Sequence, residues 1–415
     1  MNDVVITGIG VVLPNCDDRE TLWQHLSCGE SQLRREPNPA YPNESIAVGR
    51  VWDFDPADYL AEMPERFFSR YDREVQIYLA SLMLARDDAN ISLESITPER
   101  FGILDGCSRP GFAGWYERIV AQVTNNSFDS YSSRDLMSGT PGLAAGIAAS
   151  LFEARGSVYT FNSTCSSGAV AIGQAFREIQ QGRLDVALAT GHEAALCPPL
   201  FAMYRDGQLL SSDVEDPKRA VRPYSDCIGN AFGEGSITLV LESAAHAKSR
   251  GAQPIARIRS YWYGNNGFHP TTPDLAGGQP ARLILSALRD AGLSVDDIGF
   301  IVGHGNGVQL SDSSEENYML LLLGERAHEV PLVSNKPIYG HTLGASSALN
   351  VATTALMLKH DYVIPTININ HARANDAFDH MAGKGRNGSG RAGVTVSFGL
   401  GGNNTVLLLD GVTQP

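Results

Sequence analysis

The sequence predicts an α/β protein, because short apolar strands alternate along the chain with amphipathic helices. The stretches predicted as strands are Val4–Gly8, Phe101–Asp105, Val158–Phe161, Asp185–Thr190, Ser236–Leu241, Ile255–Tyr261, Gly299–Gly303, Val330–Ser334, Gly393–Phe398 and Thr405–Leu409. The stretches predicted as helices carry apolar residues at spacings of three and four, and they are Arg19–Leu26, Asp72–Asp88, Ser167–Gln181, Gln279–Ala291, Glu315–Leu323 and Ser346–Lys359. One series ends near Lys248–Gln253 and a second begins there. We therefore expect two α/β halves, residues 1–252 and 253–415.

The composition is that of a chain with a sizeable core. Hydrophobic residues make up 43% of the 415 residues and charged residues 19%, which excludes wholesale disorder. Lys and Arg total 32 against 46 Asp and Glu, so the formal net charge is −14. That balance argues against a nucleic-acid binder, whose phosphate contacts need a basic surface.

The cysteines and the apolar runs indicate where the protein is found. The six cysteines form no C-x-x-C pair and no zinc-type cluster, so we expect reduced thiols and no metal site. No apolar run reaches the ~20 residues that a membrane span requires. The start of the chain lacks the basic segment of a secretory signal. These features together predict a cytoplasmic protein without a membrane span.

The segment Val158–Gly168 (VYTFNSTCSSG) places Cys165 between an apolar strand and a helix that begins near Ser166. Small residues let the backbone turn sharply here, and the positive end of a helix dipole favours a thiolate, which lowers the pKa of a cysteine. This pattern favours a nucleophile. A buried structural cysteine is the alternative, and the local residues leave both open.

Two histidines stand in glycine-rich segments at the ends of predicted strands. His304 lies in FIVGHGNG and His341 in NKPIYGHTLGASSA. Glycines let the backbone approach a ligand closely, and loops at strand ends are where α/β proteins build active sites. The three glycines of Val396–Asn404 (VSFGLGGNN) can present successive backbone N–H groups to an anion.

Taken together, these segments resemble the β-ketoacyl–acyl carrier protein synthases, the condensing enzymes of the thiolase fold. The segments that carry the resemblance are VVITGIGVVLP, NSTCSSG, RPYSDCIGNAFGEG, GHGNG, SNKPIYGHTLGA and VSFGLGGNN, in the family's order and spacing. Similarity is strongest to the elongating synthases and to the ketosynthase subunits of type II polyketide systems. The resemblance implies two similar α/β halves in a five-layered α-β-α-β-α arrangement.

The resemblance also implies a reaction, decarboxylative Claisen condensation. Cys165 matches the nucleophile that accepts an acyl chain from the phosphopantetheine of an acyl carrier protein. His304 and His341 match the histidine pair that acts on malonyl-carrier protein, and Lys336 matches the lysine that accompanies them. Two imidazole N–H donors would stabilise the enolate that decarboxylation leaves.

Further positions follow from the same resemblance. The backbone N–H groups of Cys165 and Leu400 match an oxyanion hole, while Asp312 and Glu315 match acidic positions with a structural role. The chemistry implied needs no metal and no redox cofactor, because the substrates travel on the phosphopantetheine of the carrier protein.

The predicted substrate pocket departs from the family at several positions. Its residues are Ser108, Arg109, Asn230, Asn306, Val308, Phe398 and Leu400. Asn306 and Val308 replace two threonines, Asn230 replaces an aromatic residue, and Leu400 replaces a phenylalanine; Asn350 stands where many relatives carry glutamate. Neutral drift and an unusual acyl substrate, polyene or polar, both account for these changes.

The partners implied are an acyl carrier protein and a second subunit. Carriers are acidic, so docking on this acidic chain needs a local basic patch, for which Arg66 and Arg70 are the candidates, with Arg73, Lys218 and Arg219 as further ones. A solvated helix face with internal ion pairs is the alternative. The segment 156–161 is predicted to form a dimer interface, either in a homodimer or in a heterodimer with a chain-length-factor-like subunit.

Competing functions remain at this stage. A non-catalytic scaffold of the same fold would lack Cys165, and a thiolase would carry a second cysteine near the C-terminus, whereas the last one here is Cys227. A cysteine hydrolase would not need the second histidine. An acyltransferase that uses carrier thioesters without elongation stays open.

Overall fold

The computed structural model describes residues 2–128, 131, 140–370 and 377–412. Its strands are β1 (Val4–Val12), β2 (Arg34–Pro37), β3 (Ser45–Gly49), β4 (Phe101–Cys107), β5 (Val158–Phe161), β6 (Val186–Glu193), β7 (Phe232–Gly233), β8 (Gly235–Ser243), β9 (Ala256–Asn265), β10 (Ile298–Val302), β11 (Leu332–Val333), β12 (Tyr362–Val363), β13 (Arg386–Asn387), β14 (Ala392–Gly399) and β15 (Asn403–Asp410). Its α-helices are Arg19–Cys28, Pro56–Tyr59, Glu65–Phe68, Arg73–Asp88, Phe112–Asn125, Leu143–Leu151, Ser167–Gln180, Pro198–Asp206, Ala244–Ser249, Gly278–Ala291, Gln309–Leu323, Lys336–Tyr339 and Ser346–His360.

The main sheet consists of two sets of strands with the same order and directions. In the first set, β5-β4-β6-β8-β1, the pairs among β5, β4 and β6 are parallel and the other two pairs are antiparallel. The second set, β11-β10-β14-β15-β9, repeats this pattern strand for strand. The sets join where β1 runs antiparallel to β9, with Val4 opposite Ile258. The chain is therefore built as two similar α/β halves.

Helices cover both faces of each set, which gives five layers. The two central helices, Ser167–Gln180 and Ser346–His360, pack against each other between the sheet halves. Helix Arg73–Asp88 covers the outer face at β1 and β8, and helix Gly278–Ala291 covers it at β9 and β15. Residues 346–358 are buried on every side, and their small Ser, Ala and Thr side chains let this helix fit between two sheets.

The structure extends the predicted elements in places. The helix predicted from Glu315 begins at Gln309, and Asp312 in its first turn accepts the backbone N–H groups of Asn306 and Gly307 in the loop before it. The strand predicted as Val330–Ser334 pairs only at Leu332–Val333. Helices Phe112–Asn125, Leu143–Leu151 and Pro198–Asp206 were not predicted.

Strand ends place the candidate site residues. The end of β5 leads to Cys165, and the corresponding end of β11 leads to Lys336 and His341. The end of β10 leads to His304, and the turn between β14 and β15 contains Leu400. Since β5 and β11 each precede a central helix, the two halves bring their loops to the same region.

Candidate active site

A tight turn presents Cys165 at the start of the first central helix. Thr164 has left-handed backbone, with φ of 53°. The backbone N–H of Ser163 donates to Oγ of Ser167 at 2.9 Å, and that hydroxyl donates to the carbonyl of Thr164 at 2.6 Å. These bonds fix the turn between β5 and helix Ser167–Gln180, so the thiol of Cys165 has a defined direction.

The electrostatic surroundings of Cys165 differ from the prediction. Burial raises the pKa of the thiol to about 11, whereas the sequence predicted a lowered pKa. The positive charges of Arg109 and Lys336 act in the opposite direction and favour the thiolate. The prediction considered only the helix dipole and missed the desolvation that outweighs the nearby charges.

The loop that carries His304 is held by two buried carboxylates. Glu315 accepts the backbone N–H groups of His304 at 2.7 Å and Gly305 at 2.5 Å. Asp312 accepts those of Asn306 at 3.1 Å and Gly307 at 3.2 Å. Burial raises the pKa of both carboxyl groups, that of Asp312 to about 7. Both residues act on the loop backbone, as a structural role requires.

Gly305 is required by the shape of this loop. Its φ is +25°, and an added Cβ would lie 2.5 Å from Oη of Tyr224 and 2.7 Å from Cβ of Ser334. The hydroxyl of Tyr224 in turn donates to Glu315 at 2.9 Å. A side chain at Gly305 would therefore displace the groups that position His304.

Lys336, which follows β11, supports the same loop. Its Nζ donates to the backbone carbonyl of His304, and the side chain is fully buried. Burial lowers the pKa of Lys336 to about 8. The lysine thus positions His304 through its backbone and adds positive charge beneath the site.

The imidazole rings of His304 and His341 are in contact with each other in the cleft. The rings of His304 and His341 pack edge to face with centroids 5.3 Å apart. Burial, followed by the charge of Lys336, holds the pKa of both histidines well below the usual range, so both are neutral at physiological pH. The backbone N–H of Phe398 points at Nδ1 of His304 at 3.4 Å.

These side chains line one cleft of about 460 Å³. The predicted residues that line it are Cys165, Asn230, His304, Asn306, Val308, His341, Phe398 and Leu400. Ser108 and Arg109 do not line this volume; they lie next to it, where Arg109 donates to the hydroxyl of the lining residue Tyr204. Tyr204 was missed, because no local pattern marks the residue that meets Arg109 across 95 positions of chain.

The glycine-rich turn after β14 lies directly over the nucleophile turn. The carbonyl of Leu400 accepts the hydroxyl of Thr164 at 2.9 Å. At Gly399 an added Cβ would lie 2.5 Å from the carbonyl oxygen of Ser163, so the close approach depends on glycine. This contact places the backbone of Leu400 beside Cys165, although its role as an oxyanion donor stays a prediction.

Two of the unusual asparagines contact the His304 segment. Nδ2 of Asn306 lies 3.2 Å from Nε2 of His304. Nδ2 of Asn350 donates to the carbonyl of Gly303 at 3.0 Å, next to the same histidine. Asn230, which is 4% exposed, forms no hydrogen bond through its carboxamide oxygen within the described part of the chain.

The basic candidates for docking lie outside the cleft. Arg66, Arg70, Lys218 and Arg219 are exposed. Arg73 is partly buried and forms a 2.9 Å ion pair with Glu234. In the residues that the structure describes, no helix is both long and apolar enough to cross a membrane.

A buried group outside the cleft has metal-ligand chemistry that the cysteine spacing did not predict. One ligand atom each of Glu74, Cys107 and His192 lies within 4.8 Å of the others. Nε2 of His192 also meets Asp105 at 3.0 Å, and these acids raise the pKa of His192 against the effect of burial. A hydrogen bond to Asp105 holds Nε2 of this histidine, and Nδ1 lies 3.5 Å from Glu74.

Comparison of the sequence with protein families identifies the family to which the chain belongs. The β-ketoacyl synthase N-terminal domain matches residues 1–247, and the β-ketoacyl synthase C-terminal domain matches residues 255–370. The chain belongs to the β-ketoacyl synthase family. The resemblance predicted from the sequence is thereby confirmed.

Individual relatives of this β-ketoacyl synthase family member align over nearly the full length. A putative polyketide β-ketoacyl synthase 1 of Streptomyces halstedii is 31% identical over 98% of each chain. A type II polyketide acyl-carrier protein in complex with its ketosynthase bound to the hexaketide (AntDE:AntF) contains a chain that is 28% identical, with a TM-score of 0.91 and coverage of 99% and 100%. The ishigamide ketosynthase/chain length factor gives 26% identity, a TM-score of 0.89 and coverage of 99% of each chain. The likeness to ketosynthases confirms the predicted thiolase fold.

Proposed function

We propose that this protein is a β-ketoacyl synthase that elongates a carrier-bound acyl chain by decarboxylative condensation in a type II polyketide or fatty acid system. The convergence of Cys165, His304 and His341 on one cleft carries the proposal. The neutral state of both imidazoles supports it, because an enolate is stabilised by N–H donors aimed at its oxygen.

Acyl transfer is the first step. Sγ of Cys165 attacks the carbonyl carbon of an acyl thioester, and the pantetheine sulfur leaves with a proton. The charge that develops on the carbonyl oxygen needs N–H donors beside Cys165, and the turn at Leu400 lies there. Arg109 and Lys336 favour the thiolate that this attack requires.

Condensation follows at the imidazole pair. The bond from the malonyl α-carbon to its carboxylate breaks, carbon dioxide leaves, and the electron pair forms an enolate whose oxygen accepts from His304 and His341. The enolate carbon attacks the acyl thioester on Cys165, the carbon–sulfur bond breaks, and the product on the carrier is two carbons longer. The steps balance with no metal and no redox cofactor.

We infer two protein partners. The basic side chains of Arg66, Arg70, Lys218 and Arg219 are exposed for an acidic carrier, and one similar ketosynthase is seen in complex with an acyl-carrier protein. Strand β5 ends the sheet with Tyr159 half exposed, which suits pairing with a second subunit. That subunit is a second copy or a chain-length-factor-like chain, as in the ishigamide complex.

We also infer a cytoplasmic location, where reduced thiols persist. All six cysteines are free in the structure, which supports this inference.

Intact mass measurement tests the proposal. We expect incubation with acyl- and malonyl-carrier protein to give an adduct on Cys165, carbon dioxide and a product two carbons longer. Cys165→Ala loses the adduct and the product, whereas Cys28→Ala, which changes an exposed cysteine, keeps both. An adduct without a longer product would contradict elongation by the single chain and indicate acyl transfer or a missing subunit.

A further inference from the structure

Arg109 is a half-buried cation whose guanidinium donates to two hydroxyl groups. Nη1 donates to Oγ of Ser108 at 3.1 Å, and Nη2 donates to the hydroxyl of Tyr204 at 2.9 Å. Glu193 accepts the backbone N–H of Arg109 at 3.1 Å, not the guanidinium. Among the described residues no carboxylate forms an ion pair with this side chain. A guanidinium has five N–H donors, so these two hydrogen bonds leave donors for a ligand.

This cation lies on the nucleophile's side of the cleft. Its charge lowers the pKa of Cys165 and of His341, so it is electrostatically coupled to both. Tyr204, which it contacts, lines the cleft together with Cys165. Arg109 therefore contacts a side chain that lines the cleft.

The acyl chain on Cys165 must extend away from the open cleft. The open cleft must admit the pantetheine arm and the malonyl group while the acyl chain is in place. Beside Cys165 lies an apolar cluster that contains Leu196, Phe201 and Phe232, with half-buried aromatic rings packed against it, among them Tyr204. An acyl chain gains most from burial against this cluster. Tyr204 brings a hydroxyl to this cluster, and Arg109 donates to that hydroxyl.

We propose that Arg109 and Tyr204 select acyl chains that carry a hydrogen-bond-accepting oxygen. A keto, hydroxyl or carboxylate oxygen would accept from the unused donors of Arg109. The Tyr204 hydroxyl already accepts from Arg109, so its own proton is available for the same oxygen. A saturated chain would cover these donors without bonding them, which disfavours its loading. The inference rests on the proposed acylation of Cys165.

Loading of Cys165 from pantetheine thioesters tests this selection without any effect of carrier docking. The donors are hexanoyl, 3-hydroxyhexanoyl, 5-oxohexanoyl and adipoyl thioesters, and the readout is the rate of adduct formation by intact mass. We expect at least one oxygenated donor to load about tenfold faster than hexanoyl. Arg109→Met brings the ratio of oxygenated to hexanoyl loading to about one, while the loss of its positive charge, which favours the Cys165 thiolate, slows loading of every donor alike. Arg205→Met, which changes an exposed arginine paired with Glu44, keeps the wild-type ratio.

The choice of thioester donors also shows which oxygen-bearing group of the acyl chain is recognised. Preference for adipoyl alone identifies a carboxylate that pairs with the cation, whereas preference for the hydroxy or oxo chain identifies a polyketide-like oxygen. Tyr204→Phe reduces the preference and serves if Arg109→Met does not fold. Equal loading of hexanoyl and all oxygenated donors by the wild type overturns the inference while the proposed function stands. No adduct from any donor overturns the proposed function and the inference with it.

Discussion

The imidazole rings of His304 and His341 pack edge to face, with an interplanar angle of 89° and centroids 5.3 Å apart. One ring comes from the loop after β10 and the other from the loop after β11, two adjacent parallel strands. Because both rings are buried and neutral, each can donate one N–H to a common oxygen. Under the proposed function, the thiol holds the acyl chain and the ring pair acts on malonyl.

Removing one ring should therefore impair decarboxylation more than acylation. We expect His304→Ala to lower malonyl decarboxylation by about 10²–10³-fold, the cost of one donor to a developing oxyanion. Acylation of Cys165, followed separately by mass, should fall less. His328→Ala changes an exposed histidine and should leave both rates unchanged. Decarboxylation within about threefold of wild type in His304→Ala would refute the assigned role.

Glu315 should contribute to stability and activity together. Its carboxylate accepts two backbone N–H groups and the hydroxyl of Tyr224, and charge-assisted bonds of this kind are worth about 1.5–3 kcal/mol each. We expect Glu315→Gln to lower the free energy of unfolding by about 2–4 kcal/mol and to lower kcat. Urea unfolding measures the first effect. Glu325→Gln, at an exposed glutamate, should change neither.

Gly305 and Gly146 form a matched pair of glycines. A Cβ at Gly305 would clash with Tyr224 and Ser334, so Gly305→Ala should displace His304 and abolish condensation. Gly146 lies exposed within helix Leu143–Leu151, and nothing lies within 4 Å of an added Cβ. Gly146→Ala should stabilise that helix by up to ~1 kcal/mol and keep full activity. Condensation by Gly305→Ala at the wild-type rate would contradict the geometry described for the loop.

Lys336 should make stability depend on pH in the alkaline range. Its pKa is about 8 in the folded protein, whereas a lysine exposed to solvent, as in the unfolded chain, has a pKa of 10.5. Between these values the unfolded chain binds a proton that the folded chain has lost, so the free energy of unfolding rises with pH. From pH 7.5 to 9.5 we expect this free energy to rise by about 1–2 kcal/mol more in the wild type than in Lys336→Met.

Denaturant unfolding at each pH gives the comparison. Lys248→Met, which changes an exposed lysine, should follow the wild-type pH dependence. If the wild type and Lys336→Met change in parallel with pH, the lysine keeps its proton throughout and the burial argument fails.

Features set by local sequence were predictable, and those set by distant contacts were not. Cys165, His304 and His341 follow strands and stand among small residues, so their places could be predicted. The pKa of Cys165 could not, because it depends on burial by residues from several segments. Nor could the hydrogen bond that the backbone N–H of Tyr224 donates to Asp312, 88 positions away. The contact of Arg109 with Tyr204 could not be predicted either, because the two residues lie 95 positions apart.

The spacing between thiol and imidazoles is set by residues that touch no substrate. An added Cβ at Gly168, in the first central helix, would lie 2.9 Å from Cβ of Ala348 in the second. Any larger side chain at either position would push the helices apart and move Cys165 away from His341. The residues that line the cleft can therefore change during evolution only while the contact between Gly168 and Ala348 is preserved. This contact between the two central helices limits how far the enzyme can evolve.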